Sequence, residues 1–218
     1  MRRRQFIALL GSAAAWPLAA QAQQAAKVFR IGFLFYGSSG PSPELDAFRQ
    51  GLREFGYIEG QNIAVEYRFA SGQVERLPDL AAELVRLKPD VIVTPATPAS
   101  LAAKQATGTI PIVFAGVADA VGAGLIANLA RPDGNVTGLT SISAELGGKR
   151  LELLKRLVNN ASRVAVLYNP ADRSNVLVLK ELQDAAPALT LTLQPVEVRE
   201  PSEFEGAFAA MTRDRADA

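Results

Sequence analysis

From Arg30 onward the chain alternates between short apolar runs and amphipathic stretches. Arg30 to Tyr36 (RIGFLFY) is strongly apolar and is closed by Gly37-Ser38-Ser39-Gly40. That is the pattern of a buried parallel strand ending in a turn. Glu44 to Phe55 places Leu45, Phe48, Leu52 and Phe55 at three- and four-residue intervals, the apolar stripe of a helix, with Gly56 at its stop. Ile63 to Ala70 alternates as a strand does, and Leu77 to Leu87 is helical up to Lys88-Pro89. A strand follows at Val91 to Thr94, a short helix from Pro98 to Ala106, and a strand at Ile110 to Ala115. The spacing then predicts a helix over Gly122 to Ala130, a short strand or connection at Asn135 to Leu139, and a long amphipathic helix from Ala144 to Val158. Glu145/Lys149 and Glu152/Arg156 form favourable i,i+4 pairs on that last helix.

The pattern then restarts. Arg163 to Asn169 (RVAVLYN) has the same sense as Arg30 to Gly37 (RIGFLFYG): a basic residue, an apolar strand, a turn. Arg173 to Ala186 reads as helix, Leu189 to Val198 as strand and Glu203 to Arg213 as helix. Regular strand–helix alternation means a parallel sheet with helices on both faces, here in two tandem series. The expected division is a first α/β lobe with its crossover helix over residues 28–160 and a partial second α/β lobe over 161–218. Arg215 to Ala218 has the character of a lead-in to a third strand, so the second lobe is expected to be incomplete.

Residues 1–22 stand apart. Arg2, Arg3 and Arg4 precede a short apolar run, Phe6 to Ala15, which Pro17 breaks, and Ala20-Gln21-Ala22 offers a small-x-small cleavage pattern. This is the signature of a signal peptide cut after Ala22. A membrane-spanning helix needs about 20 apolar residues, and the run is too short for one. Arg3-Arg4-Gln5-Phe6-Ile7 is twin-arginine-like, although Arg2 and Ala8 depart from that motif and leave the general secretory route open. No Cys follows the cleavage pattern, so the product is expected to be exported, soluble and not a lipoprotein.

Composition narrows the chemistry. The 218 residues contain no His and no Cys. Cys/His zinc sites, Ser-His-Asp and Cys-His catalysis, disulfides and thiol redox chemistry are therefore excluded. No nucleotide fingerprint is present: Gly37-Ser38-Ser39-Gly40 is not G-x-G-x-x-G, and Gly147-Gly148-Lys149 is followed by Arg150 within a helical pattern. No cofactor, no metal and no enzymatic activity are expected. The formal charge of +1 includes the three leader arginines; without them 20 bases face 22 acids, a net −2. That mildly acidic balance argues against a nucleic-acid partner.

In open parallel sheets, ligands bind outside the carboxyl ends of the strands. Tyr36, Ser38, Ser39, Ala96, Thr97 and Asp119 occupy such positions in the first series, and Asn169 in the second. The small, hydroxylic set lets backbone N–H groups approach an anion such as a carboxylate, and Asp119 is placed to pair with an ammonium. Each has a structural alternative: Ser38 and Thr97 are good helix N-caps, Asp119 is a cap for a helix starting near Ala120, and Tyr36 and Tyr168 are ordinary strand-end packing.

The leader, FRIGFL, FRQGLREFGYIEGQNIAVEYRFA, RLPDLAAELVRLKPDVIVTPATPASLAAKQAT, IPIVFAGVADAVGAGLIANLARPDGNVTGLT, ELGGKRLELLK and RVAVLYNP together resemble the ABC-transporter substrate-binding proteins related to tryptophan/tyrosine-binding ones. The run from Arg76 to Thr140 is the most specific part. The resemblance implies a type I periplasmic-binding fold: two Rossmann-like parallel-sheet lobes that close on a small solute, an amino acid among the candidates, and deliver it to an ABC permease of the inner membrane. Family members continue further, completing the second lobe and returning to the first. Ser38, Thr97 and Asp119 would then be first-lobe contacts and Asn169 a second-lobe one. An exported sensory ligand-binding protein would carry the same residues. An exported α/β enzyme with a bound cofactor is the third alternative.

Overall fold

The computed structural model describes residues 28–132, 134–141 and 145–218. The expected leader lies outside the described residues. Strands and helices alternate as β1 (Phe29–Phe35), α1 (Pro43–Glu54), β2 (Ile63–Phe69), α2 (Leu77–Arg86), β3 (Val91–Pro95), α3 (Thr97–Ala106), β4 (Ile112–Ala118) and β5 (Val136–Ser141). They continue as α4 (Gly147–Leu157), β6 (Arg163–Tyr168), α5 (Arg173–Ala185), β7 (Thr192–Glu197) and α6 (Phe204–Arg213).

The first sheet is parallel throughout, in the order β2-β1-β3-β4-β5. The chain runs outward from β1 to β2 and then crosses back to β3 on the other side of β1. The carboxyl ends of β1 and β3 therefore diverge at a topological switch point, where such sheets open a crevice. The second sheet is the parallel pair β6-β7.

Alternation along the strands divides the first sheet's side chains between two faces. On one face Leu34, Ile92, Ile112 and Phe114 are at most 1% exposed beneath Leu77, Leu84, Ala99 and Ala103 of α2 and α3. Burying each such large side chain contributes about 1.5–3 kcal/mol. On the other face Phe33 stacks under Phe48 of α1, ring centroids 4.7 Å apart, with Phe35, Tyr67 and Phe69 beside it. Beyond α1 this face opens: Val113 is 38% and Leu139 75% exposed. A cavity of about 490 Å³, lined by Phe33, Phe48, Val93 and Ala115 among others, lies there.

Two expectations are corrected. β4 runs three residues past Ala115, because a bulge carries it on: Ala115 and Gly116 (φ +65°) together oppose Leu139 between the Phe114–Gly138 and Val117–Thr140 pairs. Gly122 to Ala130 is not helical. Gly124 sits at φ +78°, and Asn128 Oδ1 accepts from the Ala130 and Arg131 N–H groups, so local turns take the bonds a helix would need.

Around the second sheet a small cluster forms from Leu151, Ala161, Val164, Ala186 and Leu191. α4, placed by the sequence at the tail of the first lobe, packs Leu151 into this second cluster. Glu152 pairs with Arg156 as expected, and Lys149 also meets Glu152, at 2.7 Å. The end of the chain lies along β6. The Thr192 N–H of β7 reaches the Ser162 carbonyl, whereas the Asp217 N–H reaches that of Arg163 at 2.8 Å. Successive carbonyls point opposite ways, so Asp217 and Ala218 lie on the side of β6 away from β7. The Asp217 carboxylate accepts from the Ser162 and Arg163 N–H groups, which holds it below the ordinary aspartate range.

Candidate functional site

The site grows from the carboxyl ends of the strands. At the end of β1, Tyr36 is half-buried and its carbonyl accepts from the Gly72 N–H at 2.8 Å, while Gly37 accepts from Ser71 at 3.0 Å. These bonds tie the β1 loop to the loop between β2 and α2. Ser38 and Ser39 are exposed. The cap of α1 is Ser42, whose Oγ accepts from the Leu45 N–H, so Ser38 is not the N-cap. Pro43 at the first helical position fixes that start.

At the end of β3 the backbone is strained. Ala96 adopts φ +71° and ψ 157°, a region almost reserved for glycine, at a cost of about 1–3 kcal/mol. Buried groups hold it there. Ser100 Oγ donates to the Ala96 carbonyl at 2.7 Å and meets Thr94 Oγ1 at 2.9 Å, and the Ala96 N–H donates to Ala115. Thr97 is the first residue of α3 and only 2% exposed, and it makes no capping bond; the N-cap position is Ala96.

At the end of β4, Asp119 (φ +47°) closes a tight turn: its Oδ1 accepts from the Gly122 N–H at 2.8 Å. A Cβ at Gly122 would stand 2.0 Å from Asp119 Oδ2, so a larger residue there would displace the capping carboxylate. Asp119 therefore caps a turn rather than a helix.

In the second lobe, Asp172 caps α5 by accepting from the Ser174 N–H and Oγ, at 2.9 and 2.7 Å. Asn169 Oδ1 accepts from the Ala171 N–H, and the Tyr168 hydroxyl donates to Glu197 at 3.0 Å.

Tyr36 and Asn169 meet across the two lobes. Burial, then the nearby charge of Asp172 and, more weakly, that of Glu75, raise the Tyr36 hydroxyl above the usual tyrosine range, and the polar Asn169 side chain beside it opposes this. A chamber of about 240 Å³ surrounds the pair, lined by Gln73 and Glu75 from the first lobe and Arg199 and Glu200 from the second. Arg199 and Glu200 also line an adjoining cavity of about 300 Å³, walled by Leu167, Tyr168, Val198 and Phe204. A further space of about 200 Å³ lies where Ala118 of β4 faces Tyr168 and Leu179.

Of the expected contacts, the structure thus brings Tyr36 and Asn169 together. Ala96 instead borders the apolar cavity on the first lobe's open face, which is larger than any of the crevice chambers and belongs to one lobe alone. Ser38, Ser39, Thr97 and Asp119 line none of these chambers. Gln73, Glu75, Arg199 and Glu200 were missed. The same carboxyl-end rule, applied to β2 and β7, points to them. The arrangement offers an aromatic hydroxyl, an amide and charges of both signs, suited to reversible binding. Among the described residues no group of acids is placed to hold a metal ion, and no helix is long and apolar enough to cross a membrane.

Residues 40–218 match the family described as ABC transporter substrate binding protein. A tyrosine-binding protein of Clostridioides difficile is 34% identical over 149 residues, covering 66% of this chain and 42% of that protein. A conserved domain protein from Vibrio cholerae shares 33% identity with a TM-score of 0.77 over 86% of this chain and 63% of the other. An ABC domain from Streptococcus pneumonia, solved in complex with L-Trp, shares 27% identity with a TM-score of 0.75, over 87% of this chain and 63% of its own. The chain thus spans less than two thirds of the length of these relatives. Its strand order and two facing parallel sheets are those of the type I periplasmic-binding fold, and the chain belongs to the ABC transporter substrate-binding protein family.

Proposed function

We propose that this protein is the periplasmic solute-binding component of an ABC importer, exported by its leader, that clamps a small solute between its lobes and hands it to a membrane permease. It is a binder and not an enzyme. The observation that carries the reading is the meeting of Tyr36 and Asn169 across a chamber to which both lobes contribute. A ligand held by two lobes stabilises the arrangement in which both touch it, so closure and binding are one equilibrium. The tyrosine-binding relative and the L-Trp complex make amino acids with aromatic side chains the first solutes to examine.

Calorimetric titration of the leaderless protein with L-Trp and L-Tyr tests this. Saturable binding of one of them, weakened by Asn169→Ala, is expected. Heat signals indistinguishable from dilution for both would count against an aromatic amino-acid solute. Trp16, the sole tryptophan, lies in the leader, so intrinsic tryptophan emission cannot serve as the readout.

A further inference from the structure

The crevice chambers differ in character along their length. The end between the β2–α2 and β7–α6 loops carries the charges, Glu75 from the first lobe and Arg199 and Glu200 from the second. The adjoining cavity on the second lobe is walled mainly by Leu167, Tyr168, Val198 and Phe204. Arg199 stands at the junction, lining both. Its backbone is fixed there: its N–H donates to Glu203 at 2.6 Å and its carbonyl accepts from Asn169 Nδ2 at 3.5 Å. Of the five guanidinium donors one meets Glu197, at 3.3 Å, and the side chain stays 58% exposed. The planar fork is therefore available to take a carboxylate through two parallel bonds.

We infer that Arg199 and Glu75, from opposite lobes, hold the carboxylate and the ammonium of a zwitterionic solute whose apolar side chain lies along the second lobe toward Tyr168 and Phe204. The inference deepens the solute-clamp reading and rests on it. Charge bookkeeping selects the zwitterion. A ligand with only an amine would leave Arg199 desolvated on closure with Glu197 as its sole ion-pair partner among the described residues. One with only a carboxylate would desolvate Glu75 without a cation and face repulsion from Glu200. Asp119, the ammonium partner expected from the sequence, is committed to the Gly122 turn and lines none of these chambers.

The test is a calorimetric panel on the leaderless protein with L-Trp, L-tryptophanamide and indole-3-propionate. Arg199→Met is expected to weaken L-Trp by at least about tenfold and to leave the amide as tight or tighter, since the cation it cannot satisfy is gone. Glu75→Gln should weaken L-Trp and the amide alike and leave indole-3-propionate as tight or tighter. Asp119→Asn, which keeps the acceptor for Gly122, should change nothing beyond about twofold. Unfolding curves without ligand should coincide for the wild type and the Arg199 and Glu75 variants. Wild-type binding of L-Trp that Arg199→Met does not weaken, or a loss that appears with Asp119→Asn instead, overturns the assignment and leaves the clamp reading standing. Failure of the wild type to bind L-Trp overturns the assignment for this solute whatever the variants do, and binding of L-Tyr in the companion titration would then preserve the clamp.

Discussion

The two lobes reach similar crevice geometry from unequal foundations. The first has a five-stranded sheet with one face sealed by α2 and α3, where Leu34, Ile92 and Ile112 are fully buried. Among the described residues the second contributes the two strands β6 and β7, a small cluster around Leu151 and Val164, and Asp217 and Ala218 beside β6. The difference shows in what each can impose on its loops. The first lobe holds Ala96 in a glycine-like conformation with a buried Thr94–Ser100 lock. In the second lobe the crevice loop after β6 is shaped by half-buried side-chain caps, Asn169 on Ala171 and Asp172 on Ser174, and the left-handed Thr190 (φ +55°) lies away from it before β7. A scaffold stores local strain only where surrounding packing over-determines the backbone.

The largest test of this contrast is Phe114→Ala. Phe114 is 1% exposed in the sealed core, and its truncation should cost about 3–5 kcal/mol, read by urea unfolding. Leu151→Ala should cost less, about 2–3 kcal/mol, because its half-buried neighbours Leu154, Val158 and Leu182 can collapse into the space. A Leu151 loss equal to or above that of Phe114 would erase the contrast.

The smallest effect concerns pH. Asp217 has its pKa lowered by the Ser162 and Arg163 N–H groups, so its hold on β6 is complete above the ordinary aspartate pKa. That hold is lost as pH falls through the lowered value. The protection factor of the Arg163 amide, the intrinsic exchange rate at each pH divided by the observed one, should fall on acidification in the wild type and be low at all pH in Asp217→Ala. A pH-independent protection factor in the wild type would remove Asp217 from the second lobe's support.

Much of this fold was legible because buried parallel strands announce themselves: RIGFLFY and RVAVLY have no other economical reading. Two segments were not. Continuation of β4 depends on a bulge at Gly116, which periodicity cannot register, and the segment after it resembles an amphipathic helix until Gly124 and the Asn128 turn are seen to break it. At the candidate site, Tyr36 and Asn169 were chosen by their place at strand ends, and both line the chamber between the lobes. Ser38 and Thr97 misled because hydroxyl residues beside a helix start look alike in sequence, and only the backbone shows that Ser42 caps α1 and that Ala96 occupies the cap position of α3. Arg199 and Glu75 went unnoticed because an isolated Arg or Glu in a loop carries no periodic signal. Their meaning comes from two lobes facing one another.

In the proposed clamp one solute engages both lobes. Hydrogen exchange measured with and without L-Trp tests it most directly, since a ligand at 100 times its Kd slows opening of whatever it touches by about 2.7 kcal/mol. Slowed exchange is expected in two separate segments, residues 36–75 on the first lobe and 169–199 on the second. Protection confined to one of them, with the other unchanged at saturation, would contradict it.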